Sequence, residues 1–205
     1  MGGLWEEYDV MEVASPQAWD RNPELVLRFY NERRKKLFEA KPNYGHIGLV
    51  ELEDYFDVHI ITQNVDDLHE RAGSKKVLHL HGELRKTTRT SNPSLVDEFD
   101  HWELKLGDTC ERGSQWGTHI VWFGEEVPLL EKAAEITLQA DILVIVGTSM
   151  QVYPAASLIN YTKPNIPIYF IDPKPSISEN QYHNLTVIKD VASSGTEKLI
   201  KLLRK

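Results

Sequence analysis

The sequence has little cysteine, no long apolar run and an excess of negative charge. Cys110 is the only cysteine among 205 residues, so no disulfide can form within the chain and no site can be built from two thiolates. No apolar run reaches the roughly 18 residues that a transmembrane helix needs, and the N-terminus lacks a signal-peptide pattern. The formal net charge of −8 disfavours a broad contact with nucleic acid. Together these absences predict a cytoplasmic protein that binds neither membrane nor nucleic acid.

Three strand candidates are the main structural signal, at residues 58–61, 142–146 and 166–171. The last two are nearly continuous apolar runs, which is typical of parallel strands that are covered on both faces. A helix predicted over 154–161 links them into a β-α-β unit, so the expected fold class is α/β.

Further helices are predicted over 16–40, with a break at Pro23, over 45–56, and over 195–204 with Leu199, Leu202 and Leu203 on one side. The segment 85–118 is polar and shows no clear period, which indicates an inserted loop or small lobe. A strand-like run, 118–123, follows it.

Polar residues follow each strand candidate, at the edge where α/β proteins bind ligands. Gln63, Asn64 and Asp66 follow the first strand, Gly147–Ser149 follow the second, and Asp172 follows the third. Turns and helix caps are the alternative explanation for each group. Taken together the three strand ends favour a nucleotide-type ligand, although the sequence has neither Gly-x-Gly-x-x-Gly nor a Walker-type loop.

Two histidines, His79 and His81, are two residues apart and would share one face of an extended segment. One exposed and one hydrogen-bonded core histidine is the first interpretation, and a single acid/base histidine is the second. A metal site completed by His69 and Asp66 is the third. Cys110 is expected to be a structural thiol near solvent.

Tyr30 and Arg33 are three residues apart on a predicted helix, so their side chains share a face. A guanidinium beside a phenol is suited to binding a carboxylate. A solvated helix surface is the alternative interpretation.

Five motifs occur in the order and at the spacing that is found in the sirtuins, the NAD-dependent protein lysine deacylases, and the chain resembles that family from Gly3-Leu4-Trp5 to its C-terminus. The motifs are Thr62–His69, Ala72–Ser74, Leu80–Gly82, Val121–Gly124 and Gly147–Ser149. The resemblance implies one catalytic domain over residues 1–205, with a Rossmann-like parallel sheet, helices on both faces and 85–118 as an inserted lobe.

The resemblance also implies roles for single residues, with NAD as the cofactor and acyl-lysine proteins as substrates. His81 would be the general base that takes a proton from the hydroxyls of the nicotinamide ribose. The acyl-lysine oxygen would attack the ribose as nicotinamide leaves, and the acyl group would pass to ADP-ribose. The other implied positions are Gln63, Asn64 and Asp66 for nicotinamide and its ribose, Gly147, Thr148 and Ser149 for adenosine, Asp172 for the adenosine ribose, and Val121, Phe123 and Gly124 for the substrate backbone.

Tyr30 and Arg33 match the Tyr-x-x-Arg of the sirtuin branch that prefers succinyl-lysine and malonyl-lysine. The resemblance therefore implies an enzyme that removes acidic acyl groups.

Two features depart from the family pattern. The segment 85–118 holds Cys110 alone where sirtuins usually carry four zinc-binding cysteines, so the lobe is predicted to be free of zinc. The sequence also starts after the position of the family's first strand and its glycine-rich loop, an absence expected to remove phosphate ligands and leave strand edges unpaired. A non-catalytic module that binds NAD or ADP-ribose and an inactive fragment are therefore alternative functions, and a metal hydrolase built on His69, His79 and His81 is a third.

Overall fold

The computed structural model describes residues 8–204, so the Gly3-Leu4-Trp5 part of the resemblance lies outside the described residues. Unit 1 comprises the chain up to Ala40, Asn64–Asp67 and His81–Val127, and unit 2 comprises Lys41–Gln63, Leu68–Leu80 and the chain from Pro128 onward. Within residues 8–204, no helix combines the length and the apolar character that crossing a bilayer requires.

The α-helices, in chain order, are α1 (Val10–Val13), α2 (Pro16–Arg21), α3 (Pro23–Glu39), α4 (Tyr44–Leu52), α5 (Leu68–Ala72), α6 (Leu130–Gln139) and α7 (Ala192–Leu203), and a 3-10 helix spans Ala155–Tyr161. The strands are β1 (Ile60–Thr62), β2 (Val77–His79), β3 (Gly82–Arg89), β4 (Asn92–Glu98), β5 (Trp116–Ile120), β6 (Leu143–Val146), β7 (Ile168–Ile171) and β8 (Leu185–Ile188).

In unit 1, α2 and α3 each begin at a proline, as the sequence predicts for the break at Pro23. Pro16 starts α2 after the N-cap Ser15, whose hydroxyl accepts the Ala18 N–H at 3.1 Å. Pro23 starts α3, because a proline has no N–H to donate and is tolerated only in the first turn. The predicted break at Pro23 is confirmed.

The polar segment of unit 1 contains a sheet, so of the two predicted forms, an inserted loop or a small lobe, the loop is wrong and the lobe stays a prediction. Strands β3, β4 and β5 form an antiparallel sheet in the order β4-β3-β5. Nearly every residue of β4 is exposed, so the strand has no buried face and therefore no apolar alternation in its sequence. The strand predicted over 118–123 is Trp116–Ile120 and ends three residues earlier.

Unit 2 contains the parallel strands that the sequence predicts. Strands β6, β7 and β8 pair in parallel in that order, while β1 pairs in parallel with β2 as a separate sheet. Strand β7 is mostly buried, but every residue of β6 is only half-buried. Both faces of β6 are nevertheless covered, because Val144 and Val146 pack against one buried cluster and Leu143 and Ile145 pack against another. The prediction that both strands are covered on two faces is therefore confirmed.

Helices cover both faces of the β6-β7-β8 sheet, as predicted. Ile168 and Phe170 belong to a buried cluster that includes Ile159 of the 3-10 helix, whereas Ile171 belongs to a cluster with Leu199 of α7. Successive residues of a strand point to opposite faces, so the two clusters lie on opposite sides of β7.

The last helix, α7, has Leu199 and Leu203 on its inner side as predicted, but the prediction is wrong for Leu202. Leu199 and Ile200 are buried, and Leu203 packs against the same cluster, whereas Leu202 is 42 % exposed. The inward positions are thus i, i+1 and i+4, which is one face of a helix.

Candidate functional site

Tyr30 and Arg33 on α3 are both buried, so the interpretation as a solvated helix surface is wrong. Tyr30 is 1 % and Arg33 is 7 % exposed. The guanidinium carbon of Arg33 lies 3.3 Å from the ring centroid of Phe29, and its Nη1 donates to the Phe29 carbonyl at 3.4 Å. A positive charge and a phenol therefore share one buried face of the helix.

The Tyr30 phenol is fixed by a residue from the Val121–Gly124 motif. Nε1 of Trp122 donates to the Tyr30 hydroxyl oxygen at 3.1 Å. Burial raises the pKa of Tyr30 well above its ordinary value, although the indole hydrogen bond and the nearby Arg33 act in the opposite direction. The phenol is consequently neutral at any physiological pH and keeps its O–H as a hydrogen-bond donor.

The backbone of the Val121–Gly124 segment is largely occupied by other parts of unit 1. The Val121 N–H donates to the His81 carbonyl at 2.9 Å, and the Phe123 N–H donates to the Ala14 carbonyl at 3.0 Å. The Trp122 N–H donates to Oε2 of Glu125 at 2.6 Å. A peptide that paired with this segment as an added strand would therefore have to use its carbonyl oxygens and the N–H of Gly124. The Phe123 side chain is 48 % exposed.

His81 lies in the turn between β2 and β3 and is half-buried. The next residue, Gly82, has φ +83°, and a Cβ there would come 2.1 Å from the His119 carbonyl oxygen. A glycine is therefore needed for β5 to approach β3 beside His81.

The chain between Asn64 and Asp66 contacts the start of β3. Within unit 1, the Val65 carbonyl accepts the Leu84 N–H at 2.7 Å. Residues Asn64 and Asp66 flank that carbonyl, so the structure brings their backbone next to the strand that follows His81.

His79 differs from His81 in burial, because its imidazole is buried on β2 whereas His81 is half-buried. Its Nε2 donates to Oε1 of Glu70 at 2.8 Å. This contact agrees with the interpretation of one histidine of the pair as a hydrogen-bonded core residue. His81 is then the candidate for acid/base chemistry.

Cys110 is buried rather than near solvent, so that expectation is wrong. A backbone hydrogen bond from Arg112 lowers the pKa of its thiol, an effect that the sequence did not indicate. The prediction of a zinc-free lobe around it stays a prediction, which a metal assay of the purified protein would test.

In unit 2, the ends of β1 and β6 meet through side chains. Nε2 of Gln63 lies 3.5 Å from Oγ1 of Thr148. Gly147 has φ +60°, and open space surrounds the position of a Cβ there. Its N–H bonds to the Ile171 carbonyl at 2.9 Å. An amide, a hydroxyl and an unobstructed backbone are thus placed together where the strands end.

The other two predicted residues of unit 2 take part in turns, as their alternative interpretation states. Oγ of Ser149 accepts the Gln151 N–H at 3.4 Å. One carboxylate oxygen of Asp172 accepts the Lys174 N–H at 2.7 Å. A turn role leaves the second oxygen of Asp172 for a ligand hydroxyl.

Two residues that the sequence analysis did not single out contribute to unit 1. Trp122 belongs to the Val121–Gly124 motif, but the sequence predicts no partner for its side chain. Arg34 follows Arg33 in a basic run, yet it is fully buried and donates to the Leu84 carbonyl at 2.7 Å.

The sequence of the chain is similar to those of known proteins. The sequence model of the Sir2 family matches residues 1–154. An NAD-dependent protein deacylase of Helicobacter pylori strain J99 is 55 % identical over 173 residues, which are 84 % of this chain and 74 % of that protein. One from Bacteroides thetaiotaomicron is 48 % identical over 207 residues, covering 98 % of this chain and 88 % of that protein.

The structure is also similar to solved structures of Sir2 proteins. A Sir2 homologue in complex with NAD superposes with a TM-score of 0.88 at 36 % identity, over 98 % of this chain and 80 % of that one. A Sir2 protein bound to an acetylated peptide has a TM-score of 0.79 at 25 % identity, over 97 % and 85 % of the two chains. The predicted Rossmann-like α/β fold is confirmed.

Proposed function

The chain belongs to the Sir2 family, and we propose that this NAD-dependent protein deacylase prefers lysine side chains that carry succinyl or malonyl groups. The general activity and the cofactor NAD follow from the family and its relatives. The preference for acidic acyl groups is supported by one observation, the burial of Tyr30 and Arg33 on the same face of α3.

A buried guanidinium favours an acyl group that brings its own negative charge. The carboxylate of succinyl-lysine would accept charge-assisted hydrogen bonds from Arg33 and a further one from the Tyr30 hydroxyl. An acetyl group offers no such acceptor. A hydrogen bond to a charged group contributes about 1.5–3 kcal/mol, which corresponds to roughly ten- to hundredfold in kcat/KM.

The first experiment replaces Arg33 with Met, which keeps most of the side-chain volume and removes the charge. We expect Arg33→Met to lower kcat/KM for a succinyl-lysine peptide roughly tenfold or more while changing kcat/KM for the matching acetyl-lysine peptide much less. Arg28→Met is the matched control, because Arg28 is an exposed arginine on the same helix. Equal losses on the two peptides would refute the preference.

The residues at the strand ends of unit 2 suit the polar parts of NAD. Gln63 and Thr148 offer an amide and a hydroxyl in contact with each other, and Gly147 leaves space for close approach of a ligand. Gly147, Thr148 and Ser149 would bind the adenosine side, and the second carboxylate oxygen of Asp172 would accept a ribose hydroxyl. When bound, NAD supplies a nicotinamide leaving group and a ribose hydroxyl that accepts the acyl group.

His81 acts as the general base in this proposal. A histidine titrates near neutral pH, and a half-buried imidazole in a turn can reach a ligand that a buried one such as His79 cannot. His81 would take the proton from a ribose hydroxyl, while Asn64 and Asp66 of the same unit would orient nicotinamide and its ribose.

The protein substrate would lie along the Val121–Gly124 segment. The carbonyl oxygen of Val121 and the N–H of Gly124 are the groups that suit hydrogen bonds to an extended peptide. The exposed ring of Phe123 would cover the aliphatic part of the acyl-lysine.

A further inference from the structure

We infer that Trp122 is a positioning residue that aims the Tyr30 hydroxyl at the carboxylate of an acidic acyl group. This inference rests on the proposed preference for such groups. Trp122 would act through Tyr30 and not by touching the reacting atoms.

The direction of the hydrogen bond carries the inference. An indole N–H can only donate, so the Tyr30 oxygen is the acceptor at 3.1 Å. The phenol O–H must then point elsewhere, and among residues 8–204 no acceptor for it is found. The phenol is 1 % exposed and stays neutral, so it keeps its proton. The O–H is therefore a hydrogen-bond donor with a fixed direction, on the same helix face as the charged Arg33.

The indole that sets this direction is itself held from several sides. Its ring lies against Trp19, with centroids 5.9 Å apart and planes inclined by 31°. Its backbone N–H bonds to the side chain of Glu125. The residues before and after it bond to the backbone of His81 and Ala14. The position of the indole N–H is therefore determined by the fold of unit 1.

This arrangement predicts an effect on substrate affinity that depends on the acyl group. Without the indole N–H, nothing would hold the oxygen of the Tyr30 hydroxyl as an acceptor. The O–H bond would then rotate about the C–O bond and would no longer point in one direction. A succinyl group would lose part of a hydrogen bond, whereas an acetyl group makes no bond there. We expect KM to rise about fivefold for succinyl-lysine alone, which is part of what one hydrogen bond to a charged group contributes.

The experiment compares Trp122→Phe, Tyr30→Phe and the double variant on succinyl and acetyl forms of one peptide at saturating NAD. Trp122→Phe keeps an aromatic ring against Trp19 and removes the N–H. We expect KM for the succinyl peptide to rise about fivefold relative to KM for the acetyl peptide, and kcat to change by the same factor for both peptides. In the Tyr30→Phe background the substitution should add nothing, because the hydroxyl that it orients is gone.

Other results would overturn the inference. An equal rise of KM for both peptides would mean that Trp122 shapes the site generally, and an undiminished effect in the Tyr30→Phe background would mean that it does not act through the phenol. If Trp122→Phe does not fold, benzothienylalanine at position 122, which replaces the N–H with sulfur at the same ring size, gives the same comparison.

Failure of the inference is distinguishable from failure of the proposed function. A wild-type enzyme without preference for the succinyl peptide, together with equal effects of Arg33→Met on both peptides, would refute the function. A clear preference that Arg33→Met lowers but Trp122→Phe leaves unchanged would refute only the role of Trp122.

Discussion

His79 and His81 stand two residues apart and still have different chemistry, because one is buried beside a carboxylate and the other lies in a turn. The His79–Glu70 hydrogen bond uses Nε2 of the buried ring, so that nitrogen is not available to a ligand. His81 is half-buried in the turn and precedes a glycine whose conformation lets β5 approach β3. The environment of each ring, and not the spacing between them, decides which histidine is suited to proton transfer.

The Glu70–His79 pair predicts a dependence of stability on pH. Burial alone would raise the pKa of Glu70, but the hydrogen bonds from His79 and from the backbone outweigh it and lower the pKa below its ordinary value of 4.5. A carboxylate with a lowered folded-state pKa stabilises the protein above its unfolded-state pKa, and this contribution is lost as the pH falls through the folded-state value. Wild type should therefore exceed Glu70→Gln in stability near pH 7 and lose that advantage in acid.

The measurement is thermal unfolding of both proteins between about pH 3 and about pH 7. Because the Glu70 side chain is 40 % exposed, solvent weakens the interaction, and we expect a difference of about 1 kcal/mol or less at neutral pH. Glu39→Gln, at an exposed position at the end of α3, is the control. A Glu70→Gln difference that stays constant down to the lowest pH would contradict this assignment.

Sequence spacing predicted that Tyr30 and Arg33 share a helix face, but it could not predict that the face is buried. The Tyr30 hydroxyl is hydrogen-bonded to Trp122, which is 92 residues away from Tyr30 along the chain. Such a long-range contact leaves no periodic signal within the helix itself. The residue types and their spacing therefore indicated a pair suited to a carboxylate. The buried environment of that pair is a property of the tertiary structure.

At the scale of the elements, α3 connects Tyr30 and Arg33, the proposed acyl-binding pair, to the polar segment of unit 1. The Arg34 guanidinium donates to the carbonyls of Leu84 at 2.7 Å and Trp102 at 2.9 Å. Asn31 exchanges two hydrogen bonds with the backbone of Leu104, each 2.9 Å long. The chain around Trp102 and Leu104 thus depends on two side chains of α3 for its backbone hydrogen bonds.

Arg34→Met should strongly destabilise the protein. Burial lowers the pKa of the Arg34 guanidinium to about 10, so it stays charged at neutral pH while it satisfies buried carbonyls. Removal leaves those carbonyls without donors, at a cost of about 3 kcal/mol. Chemical denaturation should show this loss, with exposed Arg28→Met again within about 0.5 kcal/mol of wild type. A loss as small for Arg34→Met as for the control would refute this role of α3.

The elements were predicted where the sequence carries apolar periodicity or proline signals, and missed where it does not. The division of the helices at Pro23 and the parallel pairing of β6 with β7 are confirmed. The exposed strand β4 has no buried face to produce alternation. Two further elements were not predicted: β8, which is only four residues long, and α6, whose buried residues Ala133 and Thr137 are small.

At the scale of the whole molecule, the predicted site residues fall into two groups by unit. Unit 1 contains Tyr30, Arg33, Asn64, Asp66, His81, Val121, Phe123 and Gly124, and unit 2 contains Gln63, Gly147, Thr148, Ser149 and Asp172. The polar strand ends of unit 2 were predictable, since parallel strands of one unit end at the same edge. The contact between Gln63 and Thr148 at 3.5 Å agrees with that prediction.

This grouping predicts that cofactor binding and turnover respond to different substitutions. Thr148→Val keeps the side-chain shape and removes a hydroxyl from the proposed NAD site of unit 2, so NAD affinity should fall about fivefold. Thr186→Val, an exposed threonine of β8, is the matched control. His81→Ala removes the proposed base of unit 1, so nicotinamide release should fall to near background while NAD still binds.

Two measurements on the same preparations separate these effects. A ligand that binds only the folded state stabilises it by about 2.7 kcal/mol at one hundred times its Kd. NAD should therefore raise the melting temperature of wild type and of His81→Ala by the same amount. At the same NAD concentration, the melting temperature of Thr148→Val should rise less. Release of nicotinamide in the presence of an acyl-lysine peptide reports turnover. A His81→Ala protein that releases nicotinamide at the wild-type rate would show that the proton is taken by another group, and the assignment of His81 as base would then have to be abandoned.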